Sequence, residues 1–314
     1  MNLILAQRRS AVKRQALGLI RIKNWPRSAL FNLFFGYKII IKNYIIRIMI
    51  KKMVINSISL LGLIPLLFFN CSQLMADTPL LKVGMELSYP PFEMIGTDGR
   101  PTGISVEMAE NLGQFLGREV SIQNISFIGL IPSLNSDKID LIISSLTVDS
   151  QREKAIDFSE PYASTGLCLL LNIKSEIKNI EEANVEGKIV VVKSGTTGEI
   201  YAAKNLKKAT VRILDKESLC VLEVIQGKAD AFIYDQLSVY THWQKNPKTL
   251  KALLTPFHKE QWAIGLKKGN KELLMQVNFF LKKFREEGGF NKLAEKYLSE
   301  QKAAFEKLGI PFII

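Results

Sequence analysis

From Leu80 onward the apolar and polar positions switch between two periods. The run "LLKVGM" (80–85) has strand character, "ISVEMAENLGQFLG" (104–117) repeats its apolar residues at helical spacing, and "EVSIQNI" (119–125) returns to alternation. A helix over "FIGLIPSLNSDK" (127–138) and a buried strand over "IDLIIS" (139–144) complete a first round. A second round begins after "IKNIEEANVEG": strand "KIVVV" (188–192), polar turn "KSGTTG" (193–198), helix "EIYAAKNLKK" (199–208) and strand "TVRIL" (210–214). Helix "KESLCVLEVIQGK" (216–228) and strand "ADAFIYD" (229–235) close it. Such alternation builds sheets with helices on their faces, so the expected class is α/β with two units in series.

Between the units lies "YASTGLCLLLN" (162–172), and "TPFHKEQWAIGLKKG" (255–269) follows the second. Both are extended and apolar enough to be strands crossing between lobes rather than loose linkers. The stretch "NKELLMQVNFFLKKFREEGGFNKLAEKYL" (270–298) reads as two amphipathic helices broken at Gly288 and Gly289. The expected division is lobe 1 over 77–166 and 258–314, lobe 2 over 172–255, and a hinge region over 165–172 and 255–266. No solenoid-type repeat is present.

The 314 residues carry a formal net charge of +12, which suggests nucleic acid until the charge is located. Residues 1–70 hold 12 of the 42 Lys and Arg and none of the 30 acids, so the rest of the chain has 30 of each. The excess belongs to a leader, and no nucleic-acid partner is expected. In "MIKKMVINSISLLGLIPLLFFNC", Lys51 and Lys52 precede an apolar stretch from Leu60 to Phe69, the layout of a signal peptide within 49–76 and short for a membrane span. Residues 1–48 read as a start-site extension or as a membrane-contacting segment. "LFFNC" resembles the lipobox of bacterial lipoproteins, with Asn70 where that motif has Gly, Ala or Ser. Cys71 is thus a candidate lipidation site, and cleavage after Ala76 is the alternative. Either route gives an exported product, periplasmic or held at the membrane by a lipid anchor. Cys168 and Cys220, set in apolar sequence, are expected as buried thiols without a bridge.

Ligands of open α/β sheets sit beyond the carboxyl ends of strands. Three polar clusters occupy such positions, "GMELSYPPFE" (84–93), "SSLTVDSQR" (144–152) and "KSGTTGE" (193–199), with "YD" (234–235) a fourth. Arg152 offers a planar fork for a carboxylate, with Ser144, Ser145 and Thr147 around it. Gly195, Thr196 and Thr197 lie where a strand turns into a helix and can add backbone N–H groups and a hydroxyl. Asp235 supplies the opposite charge, and Tyr89 and Phe127 can form flat apolar walls. Taken singly, each has an ordinary reading: strand-end hydroxyls cap turns, Arg152 pairs at the surface, Asp235 caps a helix, Lys193 points to solvent. Their joint occurrence at corresponding ends of two units points to a receptacle for a zwitterion.

The series "YPPFE", "GLIPSLNSDKIDLIISSLTVDSQREKAIDFSEPY", "KSGTTGE", "GKADAFIYD" and "WAIGLKKGN" resembles the bacterial extracellular solute-binding proteins for polar amino acids, from about Leu80 to Leu298. The resemblance implies a two-lobed, type II periplasmic-binding-protein fold that serves an ABC importer, closing on one amino acid and docking on a membrane permease as a monomer. It implies that Arg152, Thr147 and Thr197 clamp the ligand carboxylate, that Ser145 and Asp235 take the ammonium, and that Tyr89 and Phe127 flank the side chain. Glu86 replaces the aspartate common at its position. Lys193 resembles the glutamine-binding pattern; paired with Glu86 it would present one donor and one acceptor to an amide, favouring glutamine over arginine.

Two other classes compete. An enzyme on the same fold, like the periplasmic cyclohexadienyl dehydratases, would use Glu86 or Lys193 as general acid, but Asp235 argues for an ammonium in the pocket. A sensor or regulatory domain is the third, and no further domain is read after Leu298. His242 and His258 lack ligand-spaced Cys or carboxylates, so neither metal nor cofactor is expected. The reading is binding without chemistry.

Overall fold

The computed structural model describes residues 80–314. The leader, Cys71 and the site after Ala76 lie outside the described residues. The first lobe begins with β1 (Leu81–Met85), the short strands β2 (Ser88–Tyr89), β3 (Glu93–Ile95) and β4 (Pro101–Thr102), and helix α1 (Ile104–Leu116). It continues through β5 (Val120–Asn124), a 3-10 turn at Phe127–Gly129 leading into α2 (Leu130–Asn135), β6 (Leu141–Ile142), α3 (Arg152–Ala155) and β7 (Ile156–Phe158). The second lobe holds β8 (Ala163–Asn172), α4 (Ile180–Ala183), β9 (Ile189–Lys193), α5 (Thr197–Asn205), β10 (Thr210–Leu214) and α6 (Glu217–Ile225). It ends with β11 (Ala231–Asp235), α7 (Gln236–Lys245) and β12 (Leu250–Trp262). The chain then returns through β13 (Gly265–Lys267), α8 (Lys271–Glu286), α9 (Gly289–Tyr297) and α10 (Ser299–Lys307).

The patterning explains these elements. In β1, Leu81, Val83 and Met85 are buried while Lys82 turns outward, as a period of two requires. In α1, Ile104, Met108 and Leu112 share one buried stripe, and Gly117 (φ +66°) ends the helix by donating to Gln114 O and Gly113 O. Val190, Val191 and Val192 of β9 are buried on both faces, as in a central parallel strand. The small sheet β2–β3–β4, β7 and α10 go beyond the sequence expectation; strands of two or three residues are too short to show a period.

The two large sheets have matching plans, β5-β1-β6-β13-β7 and β10-β9-β11-β8-β12. In each, three parallel strands are followed by two antiparallel pairings. Strands β8 and β12 pair with each other over most of their length. Leu250–Leu253 match Asn172–Leu169, the register then shifts, and His258–Trp262 match Leu167–Ala163. The first lobe grips the end of β12: Val148 N donates to Gln261 O (2.8 Å), Ala263 N donates to Leu146 O (3.0 Å), and Thr147 forms a bridge with Trp262. Residues 299–314, expected with lobe 1, also engage lobe 2. Phe305 packs edge-on against Tyr240 of α7 at 5.2 Å, and Ser164 N donates to Ile313 O (2.8 Å). The apolar face of α10 needs a partner, and α7 supplies it.

Cys168 and Cys220 are free, buried thiols, and burial with the nearby Glu217 pushes the Cys220 thiol up to about 12. Among the described residues no helix is long and apolar enough to cross a membrane.

Gly166 sits where the shifted β12 crosses β8. A Cβ there would lie 2.5 Å from His258 O and 2.6 Å from Pro256 Cβ. Gly166→Ala is therefore expected to destabilise the protein by about 1–3 kcal/mol. Thermal unfolding should show Tm lowered by roughly 2–10 °C; an unchanged Tm would mean that β12 yields freely there.

Candidate functional site

One cleft is lined by residues from both lobes. Glu86 and Tyr89 follow β1, Phe127 lies in the turn before α2, and Ser144, Ser145 and Thr147 follow β6, with Arg152 opening α3. From the second lobe come Lys193 at the end of β9, Thr196 and Thr197 at the start of α5, and Asp235 at the end of β11. These residues, singled out from the sequence for ligand contact, thus line the same space, whereas Gly195, expected beside them, lines a neighbouring pocket instead.

The two cations are buried, Arg152 at 7% and Lys193 at 3% exposure. Arg152 is held between lobes: Nη1 donates to Thr147 O (2.8 Å) and Nη2 to Gly195 O (2.9 Å). Its guanidinium lies 5.5 Å from the Phe127 ring centroid, and Lys193 Nζ lies 5.3 Å from the same centroid. Burial holds the Arg152 pKa below its usual value, against the pull of Asp149 and Glu260. Lys193 does not face solvent; its Nζ pairs with Glu86 Oε2 across the cleft. Glu86 Oε1 in turn accepts from Phe127 N (3.2 Å), which fixes the aromatic wall beside both cations.

Asp235 plays two parts at once. Its Oδ1 caps α7 by accepting from Ser238 N (3.0 Å) and also accepts from the Tyr89 hydroxyl of the opposite lobe (2.7 Å). Both bonds fall on Oδ1, leaving Oδ2 as an acceptor. Burial raises its pKa to about 6. The Tyr89 ring packs against Phe92, Tyr234 and Trp262, so its hydroxyl rather than its face is the group delivered to the site. The Gly195 N–H, expected at the anion site, is taken by Glu199 Oε2 (2.6 Å), while Thr196 Oγ1 donates to Lys193 O (2.7 Å).

Two buried acids went unread in the sequence. Glu93, the last residue of "YPPFE", receives hydrogen bonds from Ser105 Oγ (2.6 Å), Ser145 Oγ (3.3 Å) and Ser144 Oγ (3.4 Å). The serines of "SSLT" thus serve a protein carboxyl, and Ser145 does so from a left-handed backbone (φ +48°). Glu260 stands opposite Thr165 on β8, two positions from Leu167, which faces Asp235. That spacing puts Asp235 and Glu260 on one face of the sheet. Glu260 Oε2 accepts from Thr147 Oγ1 (3.4 Å), while Oε1 is buried with no hydrogen-bond partner among the described residues. Burial raises Glu260 to about 7, with Asp235 adding to the shift and Thr197 and Arg152 opposing it. Only a known strand register brings Glu260 to this site.

Residues 81–300 match the model of the bacterial extracellular solute-binding proteins, family 3. The chain belongs to this family. The L-cystine-binding protein TcyJ of Escherichia coli (strain K12) is 33% identical over 219 residues, covering 69% of this chain and 82% of that protein. An ancestral arginine-binding protein solved with arginine superimposes with a TM-score of 0.66 at 31% identity, covering 71% of this chain and 99% of the other. An ancestral amino-acid-binding protein described as a precursor of cyclohexadienyl dehydratase gives a TM-score of 0.64 at 32% identity, covering 69% and 95%. The solute-binding protein therefore has the type II periplasmic-binding-protein fold, and its curated relatives are amino-acid-binding proteins.

The cleft of this solute-binding protein holds four carboxyls, Glu86, Glu93, Asp235 and Glu260, against two cations. Burial is the main cause that carries Glu93 from the usual 4.5 to about 8, so at neutral pH it keeps its proton. A raised folded-state pKa means that the native state binds more protons than the unfolded chain between about pH 4.5 and 8. Stability from this group is thus complete below that window and lost as pH rises through it. Glu93→Gln should flatten the fall of Tm between pH 5 and 8.5 relative to the parent. Parallel Tm–pH curves for the two proteins would show that Glu93 titrates normally.

Proposed function

We propose that this chain is the exported receptor of an ABC importer for a polar L-amino acid. The observation that carries the reading is that Arg152 and Asp235 line one cleft from opposite lobes, each with hydrogen-bonding capacity to spare. An α-amino acid places a carboxylate and an ammonium a few bonds apart, and this pair matches both. Arg152 with Thr147 and Thr197 takes the carboxylate; Asp235, assisted by Ser145, takes the ammonium. Phe127 bounds the side-chain space, the Tyr89 hydroxyl holds Asp235 from the opposite lobe, and Ser144 and Thr196 hold the loops around it.

The side chain ends at the Lys193–Glu86 pair. A guanidinium there would meet a buried ammonium, whereas a neutral amide can accept from Lys193 and donate to Glu86, so glutamine is favoured over arginine. The leader exports the protein, which stays soluble after cleavage at Ala76 or is lipidated on Cys71, works as a monomer and delivers its ligand to a membrane permease without transforming it. The segments expected as a hinge, 165–172 and 255–266, lie mostly inside β8 and β12 of the second sheet. Closure therefore turns on the short links that join the sheets, 159–162 and 263–264, and a ligand that contacts both lobes favours the closed form.

A second reading, a dehydratase on this fold, draws on Glu260, whose raised pKa makes it a candidate acid in the cleft. Turnover of arogenate or prephenate by the purified protein would support it and displace the receptor reading.

Calorimetry against the twenty amino acids is the direct test, with glutamine expected to bind most tightly. Arg152→Ala should weaken binding at least about tenfold, the loss of a charged hydrogen-bond partner being worth roughly 1.5–3 kcal/mol. Affinity retained within about threefold would remove Arg152 from the site. Saturating ligand should also reduce the radius of gyration in small-angle scattering and raise Tm, and Asp235→Ala should abolish both effects. Tight binding with unchanged scattering would place the site in one lobe.

A further inference from the structure

The cleft does not end at the Lys193–Glu86 pair. A second chamber shares both residues of that pair with the first and counts roughly 880 Å³ of atom-free space with its open mouth, against roughly 470 Å³ for the first. Its walls are Ser88 and Pro90 on the first lobe and Lys216, Glu217, His242 and Lys245 on the second. The ion pair is therefore a partition with space on both sides.

Beyond the shared pair, the charges of this chamber are of the same kinds as those of the first, an acid with cations, though all of them stand on the second lobe. Glu217 Oε1 accepts from the Ser238 hydroxyl and lies 2.7 Å from His242 Nε2, which holds the carboxylate in place and leaves Oε2 as an acceptor. Lys216 and Lys245 form no ion pair among the described residues. A positioned carboxylate beside two unpaired ammonium groups is the complement of one zwitterionic head group, as Asp235 and Arg152 are in the first chamber.

We infer that the second chamber is a subsite for a distal head group, so that the ligands include amino acids whose side chain ends in a second α-amino-carboxylate. The inference rests on the amino-acid-receptor reading. One head sits between Arg152 and Asp235, an uncharged spacer passes the neutralised Lys193–Glu86 pair, and the far head meets Glu217 with Lys216 and Lys245. A shorter single-headed ligand such as glutamine stops at the pair and leaves the second chamber to water.

Two-headed probes decide it. The full chain is titrated calorimetrically with L-cystathionine, L-cystine and whichever of the twenty amino acids binds best. At least one two-headed probe should bind as tightly as that amino acid or more tightly. The double variant Lys216→Ala/Lys245→Ala should then weaken the two-headed ligand by about tenfold or more, as expected for lost charged contacts, and leave the single-headed one within about twofold. Both lysines are exposed, so an unchanged Tm shows that the variant is folded. Equal effects on both ligands, or none on the two-headed one, would overturn the inference. Failure of both probes while a single-headed amino acid binds would overturn it and leave the receptor reading standing. Failure of every amino acid would bring down both.

Discussion

Burying charge between two lobes is the constraint on which this structure turns. An isolated ion taken out of water costs several kcal/mol even after relaxation, and a partner must be in place to offset it. In the cleft each buried cation finds its partner on the opposite lobe: Arg152 of the first meets the Gly195 carbonyl of the second, and Lys193 of the second meets Glu86 of the first. The Tyr89–Asp235 bond adds a third link of the same kind. Neither lobe satisfies these groups alone, so the relation between the lobes is part of the electrostatics of the site.

The acids extend this logic. Four carboxyls against two cations would leave excess negative charge in a dry cleft if all were ionised. Burial instead raises Glu93, Glu260 and Asp235 to different degrees, and Glu93 is neutral near pH 7. A proton on Glu93 lets the serines of the "SSLT" segment gather around it without a counter-ion. The left-handed Ser145 marks the cost of bringing that segment so close.

Much of this was legible in the sequence, for physical reasons that differ from residue to residue. The strand–helix alternation is a property of local periodicity, and it gives β1, α1, β5, β9, α5, β10, α6 and β11 directly. Arg152, Lys193 and Asp235 stand at strand or helix ends, where the α/β plan already directs side chains toward a cleft. Glu260 stands inside a long strand, two residues before its end, and only its register with β8 reveals that it shares a face with Asp235. Glu93 was visible within its motif, but its burial and its three serine partners come from segments far apart in the chain. The packing of residues 299–314 on lobe 2 depends on Phe305 finding Tyr240, a contact without local signature.

The contact between Arg152 and Gly195 has a consequence for how the protein can vary. Its lobe 2 partner is a main-chain carbonyl, placed by a glycine at φ +76°. No side chain on that lobe carries the bond, so a scan of lobe 2 by truncation to alanine would register it only as backbone strain at position 195. The opposing walls can therefore exchange side chains, and with them ligand preference, while the tie between them is kept in the covalent backbone.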